Sequence, residues 1–185
     1  MILPVYAFGH SVLKKKAADI SNDYEGFDVL IQNMWDTMYA AHGVGLAAPQ
    51  VGLSIRLFVV DTIQMMEEGK ENEGIKKIFV NPTVIAESGK NWAYEEGCLS
   101  IPNIRGDVER PERVQIRYQD EQFLWKEEIY EGINARVIQH EYDHIEGILF
   151  VEKLKPLKKK LIQGKLGDIR SGKTTADYKI RFLKP

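Results

Sequence analysis

The chain is poor in cysteine: Cys98 is the single thiol in 185 residues. No intramolecular disulfide is possible, and a lone cysteine fits a reducing compartment as core filler, metal ligand or nucleophile. A surplus of basic charge is also missing. Lys and Arg number 25 against 27 Asp and Glu, for a formal net charge of -2, so neither nucleic acid nor a membrane surface is expected as the main partner. No apolar run approaches the roughly 20 residues of a membrane helix. The opening, Met1 to His10, has no charged region leading into an apolar one and is not rich in Arg and Ser. No export or transit signal is read there, and a cytoplasmic protein is expected. Internal repeats and low-complexity tracts are absent. What remains is ordinary globular composition, 44% hydrophobic and 28% charged, read as a single domain over residues 1–185.

Periodicity places the elements. From Asp23 to Ala41 the residues Phe27, Leu30, Ile31, Met34, Trp35, Met38 and Tyr39 recur at helical spacing, which predicts an N-terminal amphipathic helix packed on the core. Asn22 or Asp23 is expected to cap it, and Gly43 to supply a left-handed stop. Ile55–Asp61 reads as a buried strand and Lys77–Ile85 as another, with Pro82 at a sheet edge. Gln64–Lys77 between them is polar and reads as an exposed loop. Val114–Tyr118 and Phe123–Tyr130 flank a polar turn and predict a hairpin. Gly132–Glu146 reads as a second helix. Lys155–Lys165 is basic, with one or two helical turns, and Tyr178–Leu183 reads as a C-terminal strand. The expected fold is α+β: short antiparallel strands packed around a central helix.

That central helix carries the strongest local signal, H-E-Y-D-H at His140–His144. Positions i and i+4 share a helix face, so two imidazoles can reach one metal. Glu141 flanks them, placed to take a proton from water. A catalytic site generally has three protein ligands and an open position. His10, His42, Glu146 and Glu152 are candidates for the third, but none sits in a metal-like context. Upstream, E-E-G-C-L-S at Glu95–Ser100 presents Cys98 after Gly97, where backbone can approach closely. Cys98 is the preferred third ligand. A zinc endopeptidase would instead take its third ligand downstream, and a structural module would want four ligands and no Glu141.

Three stretches together resemble one family: G-V-G-L-A-A-P-Q at Gly43–Gln50, E-G-C-L-S at Glu96–Ser100 and Q-H-E-Y-D-H at Gln139–His144. In this order and at these spacings the chain resembles a peptide deformylase. The resemblance implies removal of the N-formyl group from the initiator methionine of new bacterial polypeptides, with release of formate. It implies one divalent metal on Cys98, His140 and His144, usually ferrous iron, with nickel or cobalt active and zinc often poorer. Glu141 is implied as general acid and base. Gln50, the Leu99 N–H and the backbone near Gly45 are implied to face the formyl oxygen. For the substrate, an apolar methionine pocket is expected from Val44, Ile138 and Tyr94 or Trp92. Gly43–Gly45 and Glu95 are expected to bind the peptide backbone as an added strand, and Arg105 to meet the peptide. Asp143 is expected to orient Arg110 or Arg113. The ribosome is an implied partner during translation. Some family members end in a basic helix linked to that contact, and the polar stretch after Lys165 does not read as one.

Overall fold

The computed structural model describes residues 1–183. Its elements run β1 (Val5–Tyr6), α1 (Phe27–Ala40), β2 (Gly45–Ala47), β3 (Leu57–Asp61), β4 (Lys76–Cys98) and β5 (Ile101–Gln119). Then follow β6 (Trp125–Glu131), α2 (Gly132–Ile145), α3 (Pro156–Leu161), α4 (Gln163–Arg170) and β7 (Ile180–Arg181). Strands β2-β3-β4-β5-β6 form one sheet, antiparallel throughout, and β1 and β7 form a separate parallel pair. This is the expected α+β class, but β4 and β5 run to 23 and 19 residues where short strands are expected. No helix among the described residues is long and apolar enough to cross a membrane.

Strand β3 shows why the sequence folds this way. All its residues are buried, and successive side chains point to opposite faces. Phe58 and Val60 join the cluster containing Ala135, Val137, Ile138 and Ile145 of α2. Leu57 and Val59 join the cluster containing Phe27, Ile31, Met34 and Met38 of α1. The sheet is therefore covered by a helix on each face here, which is why this strand reads as a continuous apolar run. A third cluster packs Ile101, Ile104 and Val108 of β5 against Phe150, Leu154, Ile162, Leu166 and Ile169.

Several local expectations are corrected. Helix α1 starts later than Asp23, with Gly26 at its N-cap position (φ 72°) and no side-chain cap. Asp23 is instead engaged by the Ser21 hydroxyl. At the other end the left-handed residue is His42 (φ 56°), not Gly43. At Gly43 space is tight, since a Cβ there would lie 2.9 Å from Leu99 Cδ1 and that side-chain end would have to shift. Pro82 does stand at an edge: β4 pairs with β3 only as far as Val80, and the β4–β5 register also breaks between Val80 and Thr83, so no ladder bond is asked of it. The polar stretch past Lys165 is helical to Arg170, held by Ile162, Leu166 and Ile169 at helical spacing. Of the C-terminal strand, Ile180–Arg181 pairs with Val5–Tyr6.

Candidate metal centre

Helix α2 presents His140 and His144 one turn apart, with ring centroids separated by 5.1 Å. Cys98 is the last residue of β4, at the end of the long β4–β5 hairpin. Its Sγ lies 3.3 Å from His144 Nε2. One ligand atom from each of Cys98, His140 and His144 lies within 4.8 Å of the other two. A thiol and two imidazoles at this spacing suit a divalent transition metal such as iron, nickel, cobalt or zinc. Two buried polar atoms beside them, Glu141 Oε2 and His144 Nδ1, have no hydrogen-bond partner among the described residues. Burying polar atoms unpaired is costly, so the donor set and the orphaned Glu141 oxygen together fit a metal with water at hand.

The surroundings orient these ligands. His140 Nδ1 donates to Glu96 Oε2 at 2.9 Å, which leaves Nε2 for the cluster. Glu96 also accepts from Arg110 Nε at 2.7 Å and from Arg136 Nη1 at 2.9 Å. Burial opposes its ionisation, but Arg110 and His140 outweigh burial and hold the carboxyl well below the usual range. Arg110 Nη1 in turn donates to Asp143 Oδ2 at 2.7 Å, so Asp143 meets Arg110, whereas Arg113 pairs with Glu131. Burial pushes the Glu141 carboxyl up to about 7, reinforced by Glu96 and Asp143 and opposed by His140 and Arg110. A carboxyl poised there can both take and return a proton near neutral pH. Burial drives His144 well below its ordinary value, assisted by His140 and Arg110, so it stays neutral and able to ligate.

The Gly43–Gln50 stretch packs directly on this cluster. A Cβ on Gly45 would lie 2.5 Å from Glu141 Oε1, so only glycine leaves room for the carboxyl. Gln50 is 1% exposed. Its Oε1 accepts from the Ala47 N–H at 2.8 Å, and its Nε2 points at Cys98 Sγ (3.5 Å) and Ser100 Oγ (3.4 Å). The side-chain amide is thus fixed with its donor end toward the centre.

A cavity of about 710 Å³ opens over the site. Gly43, Val44, Gly45, Gln50 and Leu99 line it, with Cys98, His140 and Glu141 at its floor. Tyr94 also lines it, whereas Trp92 stacks on the Arg136 guanidinium at 4.5 Å. Glu95 and Arg105 stand at the wall, paired with each other at 3.0 Å. Ile138 is not in the cavity: it is wholly buried in the core under the sheet. Positions two apart on a helix point about 200° from each other, so Ile138 faces away from His140, and Val137, three residues before His140, lines the cavity instead. Glu96 escapes a reading of the sequence alone, although it precedes Cys98 by two and so shares its strand face. Arg136, Ser100 and Tyr178 carry no local signal that would single them out.

Comparison with known proteins points to one family. A family model described as polypeptide deformylase matches residues 2–160. The peptide deformylase of Christiangramia forsetii is 53% identical, covering 98% of this chain and 96% of that protein. The solved peptide deformylase of Legionella pneumophila superimposes with a TM-score of 0.79 at 35% identity, covering 94% of this chain and 98% of that one. One from Acinetobacter baumannii, solved with Met-Ala-Ser bound, gives 0.75 at 37% identity, covering 83% of this chain and 99% of that one. With a family model matched over most of its length and a relative 53% identical across nearly all of it, the chain belongs to the polypeptide deformylase family.

Proposed function

We propose that this enzyme hydrolyses the formyl amide of N-formylmethionyl peptides at one divalent metal held by Cys98, His140 and His144, ferrous iron being the first choice. The observation that carries the reading is the meeting of these ligands within 4.8 Å beside a buried, unpartnered Glu141 oxygen. When bound, such a metal supplies Lewis acidity that makes water nucleophilic at neutral pH. Glu141 takes the proton released as water attacks the formyl carbon, then delivers it to the departing amine, giving formate and a free amino terminus. Gln50 Nε2 and the Leu99 N–H donate to the formyl oxygen as it gains negative charge, with the backbone at Gly45 close by. Because the Gln50 amide is already fixed by Ala47, it stabilises that charge without reorganising.

The cavity suits a peptide that begins with methionine. Val44, Tyr94 and Val137 offer apolar wall, and the Gly43–Gly45 backbone and Glu95 are positioned to meet an extended chain. Arg105 then contacts the peptide only by sharing or leaving Glu95. The Met-Ala-Ser on the Acinetobacter relative is a peptide with unformylated methionine first, the kind of product this reaction leaves. We assign the work to the cytoplasm, on chains emerging from the ribosome.

The test is formate release from formyl-Met-Ala by anaerobically prepared protein loaded with iron or nickel, beside Glu141→Ala. Release by the parent and near-silence in a folded, metal-loaded variant is expected. A folded, metal-loaded parent that releases no formate would overturn the reading.

A further inference from the structure

The two ends of the chain meet at the catalytic turn. Leu99 and Ser100 are all that separates β4 from β5, and Cys98 pairs with Ile101 across them. They form the tip of the hairpin that carries the Cys98 thiol. Both tip carbonyls are held from outside the hairpin. The Tyr178 hydroxyl donates to the Leu99 carbonyl at 2.7 Å, and the Phe8 N–H donates to the Ser100 carbonyl at 2.7 Å. The segments supplying these donors are tied to each other. The Val5 N–H bonds the Lys179 carbonyl at 2.8 Å and the Ala7 N–H bonds the Arg181 carbonyl at 2.9 Å, as β1 and β7 pair. Asn103 Nδ2 adds a bond to the Thr175 carbonyl at 3.0 Å. Thr175–Tyr178 also line the cavity over the metal ligands, although they lie beyond residue 160, where the family match ends.

We propose that Tyr178 is a positioning residue for deformylation: its hydroxyl fixes the Leu99–Ser100 peptide and so sets the direction of the neighbouring Leu99 N–H. This rests on the reading above, in which that N–H donates to the formyl oxygen. The Leu99 N–H and carbonyl are separated by one Cα, so rotation of Leu99 φ and ψ moves both. Leu99 and Ser100 lie outside both strands, and both of their carbonyls are held by these outside bonds; a donor stabilises developing charge only where it is aimed beforehand. Burial keeps the phenol protonated well above its ordinary range, so it remains a donor. The ring supplies cavity wall and the hydroxyl supplies aim, and Tyr178→Phe separates the two.

Two measurements on the metal-loaded full chain test this. The first is the division of the effect between kcat and KM for formyl-Met-Ala. Tyr178→Phe is expected to lower kcat about tenfold, with KM within about twofold of the parent, because ground-state binding is left intact. The second is amide hydrogen exchange, which needs no substrate. Exchange over residues 98–101 is expected to rise about tenfold while that of residues 57–61 stays unchanged. Unchanged kcat and exchange overturn the proposal, and so does a rise in KM alone, which marks a wall contact. Faster exchange shared by residues 57–61 marks general loosening and overturns it too. A loaded parent without activity sinks the functional reading and the catalytic role with it, while the exchange pattern still decides whether Tyr178 clamps the turn.

Discussion

Glu96 Oε2 accepts a hydrogen bond from His140 Nδ1 at 2.9 Å, across 44 residues of sequence. The same carboxylate binds Arg110 and Arg136, all with side chains no more than 4% exposed. Glu96→Ala would leave His140 without its acceptor and two buried guanidiniums short of negative charge. Removing one member of a buried ion pair typically costs about 3–5 kcal/mol, and losing a ligand's outer partner about 10–100-fold in metal affinity. Urea unfolding of the metal-free variant and a metal titration check the two effects separately. Unfolding and affinity both equal to the parent would refute this role for Glu96.

How much of the fold and the site is legible in the sequence depends on range. The ligand pair His140 and His144 and the flanking Glu141 sit on one helix, so a fixed 3.6-residue period is enough to bring them together. Helix α2 is legible from the same period, and the β5–β6 hairpin from two strand-like runs flanking a polar turn. Glu96, Arg110 and Arg136 come from β4, β5 and α2 and meet only because the hairpin folds over the helix. No local pattern encodes that meeting. Ile138 shows the opposite failure: proximity to a motif suggests a pocket residue, and the helical angle already argues against it. The expected α1 cap fails because a Gly at positive φ carries no side-chain signal, and Asp23 has a nearer partner in Ser21.

Gly45 is a test of close packing at the reacting group. An added Cβ meets Glu141 Oε1, Cδ and Cγ at 2.5–2.8 Å, so Gly45→Ala must push the carboxyl aside. A displacement near 1 Å can cost about a hundredfold in rate, and overpacking about 1–3 kcal/mol. Gly167→Ala is the counterpart. Gly167 is exposed within α4 and a Cβ there meets nothing within 4 Å. That change should add stability of about 1 kcal/mol and leave kcat alone. Steady-state rates and melting temperatures of the two variants check the contrast, and an active Gly45→Ala would show that Glu141 has room to relax.

Stability should depend on pH through Glu128. Its carboxylate binds Lys77 Nζ at 2.7 Å and accepts from the Tyr118 and Tyr130 hydroxyls. Burial opposes ionisation, but these partners outweigh it and lower the carboxyl from its ordinary value of 4.5. A lowered acid contributes stability above the unfolded value, lost as pH falls through the folded value. Glu128→Gln should therefore be less stable than the parent at pH 7, by roughly 1 kcal/mol or less at this half-exposed position. The gap should narrow below pH 4.5 as the parent carboxylate protonates. Thermal melts of both proteins from about pH 7 to about pH 3 measure it, and a gap that stays constant would show that Glu128 ionisation contributes nothing.

Metal removal gives the last prediction. The Cys98, His140 and His144 ligand atoms come from the end of β4 and from α2, so an ion bound to all of them ties the hairpin to the helix in the folded state alone. Ligand that binds only the folded form stabilises by mass action, about 2.7 kcal/mol at a hundred times its dissociation constant. Nickel added to chelator-treated protein should raise the melting temperature progressively with concentration. Glu141→Gln should keep that rise, since Glu141 is assigned the proton and not the metal. Cys98→Ala, which removes the thiol while keeping a small apolar side chain, should lose most of it. The His140→Ala change should lose it too, and should also free Glu96 from its imidazole partner. A nickel-dependent rise that survives Cys98→Ala in full would mean that the ion sits on the histidines without the thiol, and the three-ligand centre would have to be abandoned.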